Sequence, residues 1–155
     1  MSSATLVGLL VTICLLLGLT AVAWRYRERT GAKPFAALQS LSSLWATVTA
    51  AGLSLPPGAA RIRVWGVATG LSLLVVILWF AFILSYTGRN GLLTVRRLGT
   101  VSTPLVVGAV VYFVAPTWTP LVGRLTQEQI GAGTVVDASI GPVGAVLGAY
   151  LYLVF

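Results

Sequence analysis

The chain has 155 residues carrying ten Lys or Arg, three Asp or Glu and no His, a net charge of +7; 57% of it is hydrophobic and only 8% is charged, with a mean hydropathy of +0.97. Soluble domains are roughly a quarter charged, so these side chains are too few to keep such an apolar mass in water, and lipid must be the solvent for most of it. The missing histidine excludes imidazole metal sites, nucleophiles activated by a His base and a histidine phosphoacceptor. With Glu28, Glu128 and Asp137 as the acidic residues, carboxylate chemistry is nearly excluded too, and the sequence implies no enzyme, cofactor or metal. Cys14 is the single cysteine and lies in an apolar run, which rules out an internal disulfide.

A bilayer core of about 30 Å takes about 20 apolar residues in helical form. Five charge-poor stretches meet or approach that length: about 6–24, 35–54, 64–86, 101–118 and 140–155. The first has no charge before it and is followed by Arg25, Arg27, Arg29 and Lys33, the reverse of a secretory signal and the pattern of a retained helix. The second is entered through Lys33-Pro34, a proline suited to a first helical turn. The fourth is expected to begin near Pro104 and to close at Pro116 and Pro120. An outer loop over 121–139 separates it from the fifth; Leu121 to Ile130 reads as a short interfacial helix broken by Gly131 and Gly133, with Asp137 or Ser139 capping the fifth helix. The runs are too continuously apolar for barrel strands. The expected fold is therefore an all-α integral membrane protein, one membrane domain over 1–155 with about five transmembrane helices.

The cations orient it. Arg25, Arg27, Arg29 and Lys33 occupy the first loop and Arg89, Arg96 and Arg97 the third, against Arg61, Arg63 and Arg124 in the second and fourth. The positive-inside rule puts the first and third loops in the cytoplasm and the N-terminus outside: a multi-pass protein of the cell membrane. Cations divided among short loops beside helix ends do not read as a nucleic-acid surface. Trp24, Tyr26, Trp65, Tyr86 and Trp118 fall at span boundaries, where aromatic belts sit.

None of the five stretches contains an ionisable acid or base, which argues against a pump, a proton-coupled transporter or a membrane enzyme. The second stretch is the most polar. Ala36, Ser40, Ser43, Thr47, Ala50 and Ser54 recur at steps of three or four and form a seam of small side chains. That seam either packs on another helix or lines a ligand pocket in which Gln39 is the strongest hydrogen-bonding group, with Ser43 and Thr47 beside it. Trp45, whose indole N–H needs a partner, is expected to turn into the bundle. Gly66-x-x-x-Gly70 and Gly144-x-x-x-Gly148 allow close helix approach, within one bundle or across a homodimer. In the outer loop, Glu128 and Asp137 are candidates for contact with an extracellular stimulus; the competing reading is a connecting loop resting on the membrane.

Ala37-Leu38-Gln39 through Leu44-Trp45, and Trp79-Phe80-Ala81-Phe82-Ile83-Leu84-Ser85-Tyr86-Thr87-Gly88-Arg89, carry a resemblance. They are similar to the N-terminal seven-helix membrane region of prokaryotic sensor histidine kinases, common in haloarchaea, with its leucine-tryptophan pair in the second helix and its tyrosine-threonine-glycine turn after a phenylalanine-rich third. Gly141-Pro142 and Tyr150-Leu151-Tyr152 are similar to that family's fifth helix. Ala115-Pro116-Thr117-Trp118 departs from it, standing where members often have threonine-asparagine and then histidine.

The resemblance implies a sensory input domain of a two-component histidine kinase that lacks the kinase core, partnered by the lipid bilayer and by a cytoplasmic kinase module encoded downstream. A helix from Ile140 to Phe155 reaches only about 24 Å, so the expectation is a truncated product, a fragment or a split gene. The competing reading is a small stand-alone membrane protein acting as an oligomeric structural subunit or a transporter.

Overall fold

The computed structural model describes residues 3–89, 95–115, 125–130, 133–138, 141–142, 144–146 and 149–150. Four long helices, α1 (Ser3–Arg25), α2 (Ala32–Ser54), α3 (Ala59–Tyr86) and α4 (Val95–Val114), are followed by strands β1 (Leu125–Ile130) and β2 (Gly133–Ala138). Helical backbone reappears at positions 142, 144–146 and 149–150, opened by a bond from the Ala145 N–H to the Gly141 carbonyl at 2.8 Å. The remainder of the expected fifth helix lies outside the described residues.

Apolar side chains surround α1 without leaving a polar face, and they are exposed: Leu15 retains 64% of its accessible surface and Leu10 59%. A helix apolar all round and uncovered belongs in lipid. Segments Val7–Arg25 and Ala59–Tyr86 are long and apolar enough to cross a membrane, and Ser102–Val114 is a shorter apolar helix. α2 is less apolar, and it packs against both α1 and α3, while α4 packs against α3.

The turns are set by local chemistry. α2 ends where Leu55 turns extended, at φ −77° and ψ 145°, as a residue before proline must; Pro56-Pro57-Gly58 then reverses the chain. Between α1 and α2 the chain turns on Gly31, at φ 82°, whose carbonyl accepts the Phe35 N–H at 3.0 Å. Pro34 falls in the first turn of α2, as expected.

Close contacts between neighbouring helices are made at small residues. A Cβ on Gly52 of α2 would meet Val64 Cγ1 of α3 at 3.1 Å. One on Gly70 of α3 would strike the Phe113 ring of α4, with Cδ1 at 2.8 Å. The Gly66-x-x-x-Gly70 spacing thus serves packing inside the bundle at Gly70; Gly148 lies outside the described residues. On α2 the buried small residues are Ala36, Ser43, Ala46 and Gly52, whereas Ser40, Thr47 and Ser54 are exposed. Of the expected seam, Ala36 and Ser43 are covered, while Ala46 and Gly52 take the places expected of Thr47 and Ser54.

Three expectations are corrected. α4 starts at Val95, so Pro104 sits inside it rather than in its first turn; the proline has no N–H to contribute to the helical ladder and lies beside the fully buried Leu105. α3 starts at Ala59, which takes Arg61 and Arg63 out of the loop, with Arg61 buried. The 121–130 segment contains strand β1 and not an interfacial helix. β1 pairs with β2 antiparallel from Leu125↔Ala138 to Ile130↔Gly133, because β-branched Ile130, Thr134, Val135 and Val136 favour strands. Asp137 accordingly belongs to a strand and does not cap a helix.

Replacing Gly70 by Leu should lower stability by about 1–3 kcal/mol through overpacking, measured by thermal unfolding of the detergent-solubilised protein. Adding Phe113→Ala should recover part of that loss. Losses that simply sum would place the two residues out of contact.

Candidate functional site

The end of the bundle holding the α1–α2 turn contains an open cleft of about 330 Å³. Its walls come from the end of α1, the turn, the start of α2 and the end of α3, with Tyr26, Arg29, Phe35, Phe82 and Tyr86 as the large side chains. Gly31 assembles it. Its buried backbone lies against α3, where an added Cβ would make ordinary contact, 3.6 Å from the Tyr86 Cα and 3.7 Å from Phe82 Cε2; it is the left-handed φ of 82° that calls for glycine at this turn.

Phe82 is the centre of the aromatic wall. Its ring centroid lies 5.2 Å from Phe35 of α2, 5.7 Å from Tyr86 and 6.0 Å from Trp79, all in tilted pairs. Such pairs each contribute about 0.5–1.5 kcal/mol beyond the area they bury. Two cations lie over rings of the turn: Arg29 is 5.2 Å from the Tyr26 centroid and Arg27 is 5.7 Å from that of Trp24. Arg27 also approaches Glu28, Nε to Oε1 at 3.5 Å, with both side chains exposed, a pair that contributes little stability.

The Tyr86-Thr87-Gly88 sequence fixes where this wall stops. Gly88 is left-handed at φ 73°; its N–H binds the Ser85 carbonyl at 3.3 Å, and the Arg89 N–H binds the Leu84 carbonyl at 2.9 Å. This is the Schellman closure of a helix. The Thr87 hydroxyl adds a bond to the Ile83 carbonyl at 2.8 Å. Thr87 and Gly88 thus end α3, and Tyr86 is left 72% exposed at the rim. The walls offer apolar surface and a guanidinium, which suits binding of an apolar or amphiphilic molecule.

Of the residues singled out in the sequence, Gln39, Ser43, Trp45 and Thr47 of α2 do not line this cleft. Ser43 is buried at 4% exposure, and its carbonyl accepts the Thr47 hydroxyl at 2.8 Å. Ser40, Thr49 and Ser54 likewise donate to Ala36, Trp45 and Ala50 of their own helix. Bonds to the preceding turn satisfy hydroxyl donors in lipid without any ligand, so they do not assemble a hydroxyl-lined pocket. Trp45 is 40% exposed and is not turned into the bundle; it shares the uncovered side of α2 with Leu44, 50% exposed. Gln39 Oε1 is buried with no hydrogen-bond partner among the described residues. Glu128 stands opposite Val135 and Asp137 opposite Thr126 in the hairpin.

Sequence reasoning missed Arg29, Phe35 and Phe82 as members of one site, and took Tyr26 and Tyr86 for headgroup anchors. The signal was the aromatic and basic alternation Trp24-Arg25-Tyr26-Arg27 next to a glycine, close in space to the phenylalanine-rich end of the third helix.

Gly88→Ala should destabilise the protein by about 1–2 kcal/mol, the penalty of a left-handed alanine, read by thermal unfolding; an unchanged midpoint would deny the closure its role. Gln39→Leu should leave the midpoint unchanged or raise it, since a buried unpaired acceptor costs about 1–3 kcal/mol. A loss of that size would instead assign the Oε1 atom a partner.

The sequence matches the family described as the N-terminal 7TM region of histidine kinase over residues 8–155. No curated protein and no solved structure matches it. The match carries both the leucine-tryptophan helix and the closing Tyr86-Thr87-Gly88 turn, and spans nearly all of the sequence: the chain belongs to the family of N-terminal 7TM regions of histidine kinases.

Proposed function

We propose that this chain is the membrane sensory input region of a histidine-kinase-type signalling protein, multi-pass in the cell membrane with its N-terminus outside, and that it performs no chemistry itself. The family match over residues 8–155 carries this reading. The charge distribution supports the orientation: the contact of Gly31 with Tyr86 brings Arg25, Arg27, Arg29, Lys33 and Arg89 to one end of the bundle, and Arg61 and Arg63 start α3 at the other. The partners in this reading are the bilayer and a cytoplasmic kinase module in a two-component system. A stimulus acts by changing how the helices sit against one another, and the change leaves the bundle at the cationic end.

The alternative of a stand-alone oligomeric subunit or transporter draws on the glycine pairs and the hydroxyl-rich second helix; Gly70 is already occupied by Phe113 of the same chain, and the hydroxyls of α2 bond to their own helix. A homodimer formed through Gly70 would have to displace that ring.

Two measurements test the proposal. In a Cys14→Ser background, Arg29→Cys and Arg89→Cys should be protected from an impermeant thiol reagent in intact cells, and Gln127→Cys should label. Labelling of all three would overturn the orientation. Genomic sequence around the coding region should encode a histidine-kinase core; an unrelated gene there, together with a defined homo-oligomer and solute flux in liposomes, would favour the alternative.

A further inference from the structure

We propose that the cleft between the ends of α1 and α3 binds an anionic membrane lipid, with its hydrocarbon against Phe35, Phe82 and Tyr86 and its phosphate-bearing headgroup at Arg29. This rests on the membrane reading above and goes beyond it by naming a ligand class and a site.

Three observations carry it. The cleft has about 330 Å³, within the range of small-ligand sites, and its aromatic wall has no use for a free inorganic anion. Charge selects the headgroup: Arg25, Arg27, Arg29, Lys33 and Arg89 gather at this end, while Glu28 is the sole acid in the first 127 positions and already approaches Arg27. Arg29 lines the cleft with its guanidinium over the Tyr26 ring, Cζ 5.2 Å from the centroid, and a guanidinium can hold a phosphate by two parallel bonds. Apolar walls capped by guanidinium match an amphiphile with a negative head. A zwitterionic lipid carries its own ammonium and gains less from this cluster.

Trp79, 6.0 Å from Phe82, is a reporter beside the site. The full chain, with its other tryptophans replaced by Phe, is reconstituted into vesicles of dibrominated phosphatidylglycerol or dibrominated phosphatidylcholine diluted in unbrominated phosphatidylcholine. Quenching of Trp79 should reach half its maximum at a lower fraction of the phosphatidylglycerol. Arg29→Gln should raise that fraction about fivefold, the effect of about one basic residue at an anionic surface. Ala32→Phe, which fills the cleft, should abolish the selectivity, and Arg63→Gln at the opposite end should leave it unchanged.

Excess glycerol phosphate, which has the headgroup charge without chains, should not displace the lipid; displacement would overturn the lipid assignment. Equal quenching by the two lipids, or selectivity that survives both Arg29→Gln and Ala32→Phe, would overturn the site. Flotation of the vesicles separates these outcomes from failure of the membrane reading: protein that floats without selectivity refutes the lipid site alone, and protein that does not float refutes both.

Discussion

Helices dissolved in hydrocarbon gain nothing by hiding apolar side chains from their solvent, so their association depends on how closely the backbones can approach. This chain meets that constraint at a few positions. Gly52 against Val64 lets α2 reach α3, and Gly70 against Phe113 lets α3 reach α4. Bulk is placed opposite absence in each case, and the large leucines of α1 are left to the lipid.

The same solvent governs the polar groups. With no water inside a bilayer to compete for hydrogen bonds, serine and threonine are accommodated by turning back on their own helix, as Thr12, Thr20, Thr47 and Thr69 do. Hydroxyls dealt with in this way are unremarkable in the spans, however polar the second helix looks. The guanidiniums concentrate where helices end, and one end collects most of them. Aromatic rings at that level do two things at once: they stack with one another around Phe82 and lie beneath arginines.

Much of this was legible in the sequence. Charge-free runs of bilayer length located the first three helices, with α3 extended by five residues, because hydropathy stops counting at Arg61 and Arg63 while the helical backbone does not. Pro104 misled for a related reason: proline favours a first turn, but tertiary support carries it inside α4. The hairpin was misread because the mixture of apolar and polar residues from Leu121 to Ile130 suits either a surface helix or a strand, and the pairing of Leu125–Ile130 with Gly133–Ala138 decides it. The cleft was the least legible feature, since it exists only when a positive φ at Gly31 brings two distant segments together. On α2, Ala36 and Ser43 of the expected seam are covered and Thr47 and Ser54 are not, because composition records which side chains are small and not which of them a neighbouring helix covers.

The closure after Tyr86 has one more consequence. Two backbone bonds and a threonine hydroxyl lock the departure of the chain from α3 to the last turn of that helix. The polypeptide leaves at a fixed bearing relative to Phe82, much as a crank arm is keyed to its shaft. Any roll of α3 about its own axis is transmitted to Arg89 as a swing across the bundle's cationic end, and a looser terminus would absorb it as slack.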